Sequence, residues 1–114
     1  MSHHWYKHPN EREAFSFSYS PSLGNAETIA SIIEVKVVKQ LTRDTEQDYS
    51  TEMMAAGTPP AINGENIDFW LQQEQSPGDQ PRGWFVVRCI VATSSSRRLT
   101  VTKKLYITGA TQQQ

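Results

Sequence analysis

Histidine and cysteine have the most versatile chemistry in this chain, so their spacing is considered first. His3, His4 and His8 lie near the N-terminus, with Glu11 and Glu13 close behind. Imidazole and carboxylate groups ligate zinc and other transition metals. A metal site also needs ligands held in a fixed geometry, and nothing in the pattern of this segment orders them. We therefore predict an exposed arm with no metal and no cofactor.

The chain has one cysteine, Cys89. A catalytic thiol needs a nearby base and a lowered pKa. The histidines are far away in sequence, and Cys89 alternates with Val87 and Val91. We predict that it packs in the core as a small apolar residue. A single cysteine also excludes an internal disulfide framework and fits synthesis in a reducing cytoplasm.

Acidic residues concentrate between residues 44 and 52, where oxygen ligands could bind calcium. The spacing lacks the glycine and the terminal glutamate of the calcium-loop motif. We interpret the segment as a solvated loop. The sequence contains neither a phosphate-binding glycine loop nor a serine–histidine–aspartate arrangement, so it predicts no catalytic residues and a protein that is not an enzyme.

Net charge and hydropathy exclude other classes of function. Eleven basic residues face twelve acidic ones, and the mean hydropathy is −0.58. The basic cluster Arg97, Arg98, Lys103 and Lys104 is a weak footprint for nucleic acid, and we interpret it as solvated positions on a hairpin. No apolar run reaches the ~20 residues that a spanning helix needs. The first residues lack the apolar core of an export signal, so we expect no secretion and no membrane.

Strand patterns dominate the middle and the end of the chain. Apolar and polar residues alternate around 15–20, 29–41, 67–71, 84–92 and 99–108, with turn residues between them. We expect a bend or bulge near Ser31 and a hairpin turn at Asn63–Gly64. For residues 42–58 the pattern permits either one helical turn, capped by Ser50 and ended by Gly57, or a loop with a short strand.

The predicted fold is all-β: a single immunoglobulin-like β-sandwich of about seven strands. We expect an N-terminal arm (1–12), the sandwich (13–109) and a polar tail (110–114). The predicted core is Phe15, Phe17, Tyr19, Ile33, Val35, Val37, Ile67, Phe69, Leu71, Phe85, Val87, Cys89, Val91, Leu99 and Val101.

The strand from Trp84 to Ala92 is apolar on both faces, which is typical of a central strand covered on its outer side. The cover could be the loop of residues 42–58 or another subunit. Tryptophan, tyrosine and methionine are common anchors of interfaces. The candidate partner-binding residues are Trp5, Tyr6, His8, Met53, Met54, Trp70 and Trp84.

Several segments, taken in order, resemble a known family. They are Lys7-His8-Pro9-Asn10 in the arm, Leu23-Gly24-Asn25-Ala26-Glu27-Thr28-Ile29-Ala30-Ser31, Ile62-Asn63-Gly64-Glu65-Asn66-Ile67, and a last hairpin with Gly83, Phe85, Val87-Arg88, Thr93-Ser94 and Arg97-Arg98-Leu99. In this order and spacing the chain resembles the small immunoglobulin-like virion proteins of tailed bacteriophages known as fiber-tail adaptor proteins. It departs from them in its long turn before Gly83, in Ser96 where the family has glycine, and in its long loop of residues 42–58.

The resemblance implies a structural role in the virion, made in the host cytoplasm. Such a protein links the tail or portal region to the fibers, with copies of itself arranged in a symmetric ring. The alternatives are a capsid decoration or head–tail completion protein, and a carbohydrate-binding module in which Trp70 would lie exposed beside other aromatic residues.

Overall fold

The computed structural model describes residues 4–55, 57–73 and 82–108. The described residues form eight strands and one helical turn. The strands are β1 (Trp5–Lys7), β2 (Glu13–Ser18), β3 (Ile29–Thr42), β4 (Thr45–Asp48), β5 (Ala61–Asn63), β6 (Asn66–Leu71), β7 (Gly83–Thr93) and β8 (Arg98–Ile107), and the helical turn is α1 (Ser50–Met53).

The strands form two sheets that pack as a β-sandwich. The large sheet has the order β1-β8-β7-β3-β4, and the small sheet has the order β2-β6-β5. All neighbouring pairs are antiparallel except β1 and β8, which run parallel. This all-β sandwich confirms the predicted fold class.

Strand β7 is the centre of the large sheet, and its two faces have different surroundings. Phe85, Val87, Cys89 and Val91 are almost completely buried between the sheets. Phe17, Ile67, Phe69 and Leu71 of the small sheet belong to the same core cluster. The predicted packing of Cys89 in the core is therefore confirmed, and burial raises the pKa of its thiol.

The predicted core needs correction on β3. Ile33 is 40% exposed, whereas Ile29, seven per cent exposed, belongs to the core. The pairing with β7 shifts between Ile29 and Ser31 and again between Ile32 and Glu34. Because each bulge inserts an extra residue, it changes which face the next side chains occupy. The bulge near Ser31 was predicted, but the second one, at Ile33, was not.

The N-terminal segment also needs correction. We predicted that residues 1–12 form a separate arm, but Trp5–Lys7 form β1 and pair with Leu105–Ile107 at the edge of the large sheet. Lys7 is buried, and its Nζ donates to the carbonyl oxygen of His8 at 3.1 Å. The strand count therefore exceeds the predicted seven within the described residues. The predicted tail (110–114) lies outside them.

The segment between β3 and β5 contains both structures that the sequence left open. Strand β4 extends the large sheet, and α1 follows it. Ser50 does not cap this helical turn. It is the first helical residue, and its hydroxyl accepts a hydrogen bond from the backbone N–H of Val37 at 2.9 Å. Met53 is fully buried in the core, so this segment packs on the inner side of the sandwich.

The predicted turn at Asn63–Gly64 is confirmed by the pairing of Asn63 with Asn66. Gly64 has φ +63°, which a glycine adopts at little cost at the first central position of a two-residue hairpin. The predicted long turn before Gly83 falls largely outside the described residues. Within the described part of the chain, no helix has the length and hydropathy to cross a bilayer.

A tyrosine hydrogen bond joins the two sheets. Tyr19, which follows β2, is fully buried, and its hydroxyl donates to the carbonyl oxygen of Cys89 in β7 at 2.5 Å. Burial is the main cause that raises the pKa of this phenol far above its ordinary value, so it stays protonated and donates. Antibody domains connect their two sheets with a disulfide, whereas here the hydrogen bond from Tyr19 to Cys89 provides a connection between the sheets.

We expect Tyr19→Phe to lower the free energy of unfolding by about 1–2 kcal/mol, because the substitution keeps the ring but removes the donor of a buried hydrogen bond. Urea denaturation followed by fluorescence measures the change. Tyr106→Phe, at a half-buried position on the outer face of the large sheet, is the matched control. Equal stability of Tyr19→Phe and the wild type would contradict the account.

Two loops at one end of the sandwich meet at a nearly buried carboxylate. The Glu27 side chain is 4% exposed and forms an ion pair with the guanidinium of Arg97. It also accepts hydrogen bonds from the Thr93 hydroxyl at 2.5 Å and the Gly24 N–H at 2.7 Å. Nearby, the backbone N–H of Ser94 donates to the Thr28 carbonyl oxygen at 2.8 Å. The network thus ties the β2–β3 loop to the β7–β8 turn.

This network gives a structural role to several residues that carry the family resemblance. Glu27 and Thr28 come from one resembling segment, and Thr93, Ser94 and Arg97 come from another. Ser96, which stands where the family has glycine, has φ +64°, in the left-handed region that glycine tolerates best. These residues therefore stabilise two loops.

The network predicts acid sensitivity. Hydrogen bonding from Arg97, with smaller contributions from Thr93 and Gly24, lowers the pKa of Glu27 far below its ordinary value. A lowered folded-state pKa adds stability that is complete above the unfolded value of about 4.3 and is lost as pH falls towards the folded value. We therefore expect Glu27→Gln to lower stability at pH 7 and to have a shallower acid dependence.

Chemical denaturation of both proteins between about pH 7 and pH 3 tests this expectation, and the two stability curves should converge at low pH. Glu11→Gln, at an exposed carboxylate, is the control and should match the wild type at neutral pH. Parallel curves for Glu27→Gln and the wild type across the range would refute the assigned role.

Candidate protein-binding surface

Four aromatic side chains form a cluster on the outer face of the large sheet. We call this cluster the aromatic patch; it consists of His4, Tyr6, Trp84 and Tyr106. The ring centroid of Trp84 lies 4.9 Å from those of His4 and Tyr106, and the Tyr6 centroid lies 6.1 Å from that of Tyr106. Tyr6 is 58% exposed and Trp84 is 47% exposed. The rings therefore contact one another while much of their surface faces solvent.

Strand register explains the patch. Tyr6 pairs with Tyr106, and Tyr106 pairs with Trp84, so three rings lie in one row across β1, β8 and β7. Directly paired residues project from the same face of a sheet. Because Phe85 and Leu105, their neighbours in sequence, are buried between the sheets, the row must face outwards.

Beside the patch is an open cavity of about 450 Å³. It is lined by His4, Gln40, Trp84, Phe85, Val86 and Lys104. An apolar floor with a few polar groups at its margin is typical of surfaces that bind other molecules. The amide of Gln40 is engaged elsewhere, since its Nε2 donates to the Thr42 carbonyl oxygen at 2.6 Å.

Charge is distributed unevenly across the outer face. One row of paired residues crosses four strands in the order Lys104, Val86, Val38 and Asp48. A cation therefore lies on the side of the aromatic patch, and a carboxylate lies at the β4 edge. Hydrogen bonding from Ser50 lowers the pKa of Asp48, which favours its charged form. Glu46, also on β4, pairs with Arg88 at 3.0 Å.

The structure brings two of the predicted binding residues together, Tyr6 and Trp84. Trp5 points the other way: its ring lies 4.8 Å from that of Phe15 and 5.0 Å from that of Phe17. Met53 is fully buried and Met54 packs against the core. These placements give Trp5 and both methionines a role in packing. His8 is half-buried, and its Nδ1 accepts a hydrogen bond from Asn10 at 3.3 Å.

Trp70 lies on the outer face of the small sheet, away from the patch. The guanidinium of Arg12 covers its ring at 4.5 Å from the centroid, and the side chain is half-buried. Its paired neighbour Ala14 and the residues two positions along, Ser16 and Asp68, are not aromatic. The group of aromatic rings that the carbohydrate alternative requires around Trp70 is therefore not present on the described part of this face.

Among the residues that the structure describes, the remaining chemical candidates do not assemble into a site. Within residues 4–55, 57–73 and 82–108, no group of three or more histidine, cysteine, aspartate or glutamate side chains is placed to hold a metal ion. His3 lies outside the described residues. Cys89 is buried in the core, with a raised thiol pKa.

Sequence reasoning missed Tyr106 and Lys104 as members of the surface. Alternation along β8 could have found them, because Leu105 and Ile107 are apolar and their neighbours must face the opposite side. The contact with Tyr6 could not have been found in this way, since it depends on the unpredicted strand β1.

Comparison with models of known protein families found no match, and neither did a search of curated proteins. The resemblance to fiber-tail adaptor proteins therefore remains a prediction of the sequence.

Trp84 on the surface and Trp5 against the core should differ in how much their replacement by alanine lowers the free energy of unfolding. We expect Trp84→Ala to change the free energy of unfolding by less than about 1 kcal/mol. Trp5→Ala should lower it by about 3 kcal/mol, because the half-buried Trp5 ring packs against the core beside Phe15 and Phe17. Urea denaturation measures both values. A larger loss for Trp84→Ala than for Trp5→Ala would show that the patch serves the fold and not a partner.

Proposed function

We propose that this protein is a non-enzymatic structural component of a tailed bacteriophage particle. In this role it is an adaptor that joins the tail or portal region to the tail fibers through repeated protein–protein contacts, and it resides in the virion. The observation that carries the proposal is the aromatic patch. Tyrosine and tryptophan are the side chains most enriched at the centres of protein interfaces.

The position of the patch supports a binding role. Residues 42–58 could have covered the outer face of β7, but Met53 of this segment packs into the core on the inner side. Trp84 consequently remains 47% exposed beside a cavity. The rings of the aromatic patch would be buried more completely against a partner than they are in the free chain. This favours another subunit, and not the segment of residues 42–58, as the cover of the outer face of β7.

The family resemblance supplies the identity of the partners. Its motifs imply contacts with tail, portal and fiber proteins and with copies of the same chain. Capsid decoration and head–tail completion would use the same surface chemistry with different partners. The proposal selects the adaptor role because the resembling segments follow one another in the family's order from Lys7 to Ile107.

Co-purification tests the proposal. The wild-type chain is mixed with the tail, portal and fiber proteins encoded beside its gene, and complexes are measured by size-exclusion chromatography with light scattering. We expect one of these proteins to co-elute. Trp84→Ala should weaken the complex at least ~10-fold, as expected when an aromatic anchor is removed.

Ile62→Ala is the matched control, because Ile62 is also exposed (42%) but lies on β5 of the other sheet. It should bind like the wild type. Binding to assembled capsids but to none of the tail or fiber proteins would replace the adaptor with a decoration protein. Equal binding by Trp84→Ala and the wild type would remove the patch from the interface.

The aromatic patch also gives the carbohydrate alternative a new location. Exposed Tyr6 and Trp84 beside Lys104 form the combination of apolar rings and polar groups that a sugar requires, whereas Trp70 does not. A glycan array with the wild-type chain and Trp84→Ala separates the two functions. Glycan binding that disappears in the variant would favour the carbohydrate module over the adaptor.

A further inference from the structure

The large sheet ends in two short strands that lie at the same level. Among the described residues, β1 pairs with β8 alone and β4 pairs with β3 alone. Tyr6 lies in the row of Trp84. Val38 pairs with Val86 in an antiparallel ladder, so Gln40, two residues later, lies opposite Trp84 in the same row. On its other side, Gln40 pairs with Glu46. Tyr6 and Glu46 thus occupy opposite ends of one row.

The two edge strands run in opposite directions. Strand β1 is parallel to β8, and each further step across β7, β3 and β4 reverses direction. When two copies of the sheet lie side by side with their outer faces on the same side, β1 of one copy therefore meets β4 of the other as an antiparallel pair. The strands have three and four residues, so their lengths also match.

Backbone hydrogen bonds at each edge fix which groups face the free side. The Thr108 N–H donates to the Lys7 carbonyl oxygen, so Lys7 faces β8. The Tyr49 N–H donates to the Val37 carbonyl oxygen, so Tyr49 faces β3. Because successive residues of a strand direct their backbone groups to alternate edges, those of Tyr6 and Glu46 face outwards. Opposite each other, they could exchange two N–H···O bonds.

This register also places hydrogen-bond donors opposite acceptors. With Tyr6 opposite Glu46 of a second copy, antiparallel pairing places His4 opposite Asp48 and His8 opposite Asp44. Imidazole N–H groups donate hydrogen bonds to carboxylates, and such cross-strand side-chain pairs stabilise a sheet. Lys104, near His4 in the cavity wall, adds a positive charge to the same side. The imidazoles of the β1 edge and the carboxylates of Asp44 and Asp48 at the β4 edge are therefore complementary as hydrogen-bond donors and acceptors.

We propose that β1 of one copy adds to β4 of a second copy, so that the large sheet continues from copy to copy. The contact joins two different surfaces of the chain, which is the head-to-tail type that closes into rings. It deepens the proposed function by naming the contact between neighbouring copies, and it places the aromatic patch at each junction. Its geometrical basis is independent of the phage resemblance.

Sedimentation velocity of the full chain, over a concentration series up to about 1 mM, tests this contact. We expect concentration-dependent species larger than a dimer, because a head-to-tail contact leaves each chain with one free edge. Glu46→Pro removes an N–H that faces the free edge and not the ladder to β3. It should weaken association at least ~10-fold relative to Glu46→Ala.

Glu46→Ala is the matched control, since both variants lose the ion pair with Arg88 but only proline removes the N–H. Tyr6→Glu is a second variant, which places two carboxylates opposite each other. Thermal melting by circular dichroism establishes that each variant is folded. If Glu46→Pro does not fold, Tyr6→Glu decides the result.

A wild-type chain that stays monomeric throughout the series would overturn the inference. Equal association of Glu46→Pro and Glu46→Ala would do the same, as would equal association of Tyr6→Glu and the wild type if the proline variant is unfolded. A monomeric chain that still co-elutes with a tail or fiber protein would remove this contact and leave the proposed function standing. A self-associating chain that binds none of them would do the reverse.

Discussion

The fold depends on burial of one face of β7 between the two sheets. Phe85, Val87, Cys89 and Val91 project inwards, and the hydroxyl of Tyr19 reaches across to the carbonyl oxygen of Cys89. Because side chains alternate along a strand, this burial obliges Trp84 and its alternating neighbours to face outwards. The outward direction of Trp84 is therefore a consequence of how the core is made, whereas its aromatic side chain is not required by the core. The interface proposed above uses a surface that the fold already has to present.

Interactions with different roles are separated along the sandwich. One end contains Glu27, Thr93 and Arg97, which bind the loops to each other through charged hydrogen bonds. Near the other end, around Trp84, lie the aromatic patch, its cavity and the two edge strands. The sequence motifs that carry the family resemblance fall mostly at the first end. They explain how the domain holds its shape, whereas most residues of the proposed contacts, such as Tyr6, Trp84 and Glu46, lie outside these motifs.

Period-two patterns predicted the sandwich, the centrality of β7 and the core placement of Cys89, because long strands repeat the signal many times. Short elements carry no such signal. Strand β1 has three residues, so its partner β8, not its own sequence, defines it. The error at Ile33 has a related cause: a bulge inverts the faces without a change in composition. The place of Tyr106 in the aromatic patch depends on its cross-strand neighbours Tyr6 and Trp84, which its own position in the sequence does not reveal.

The central claim is that the outer face and edges of the large sheet form the contacts of an assembled particle. Amide hydrogen exchange tests it most directly, by comparing the free chain with the chain in purified virions. The account predicts added protection at Trp5–Lys7, Thr45–Asp48 and Trp84, with little change at Ala61–Asn63 of the small sheet. Protection confined to the small sheet, or absence of the chain from the particle, would contradict it.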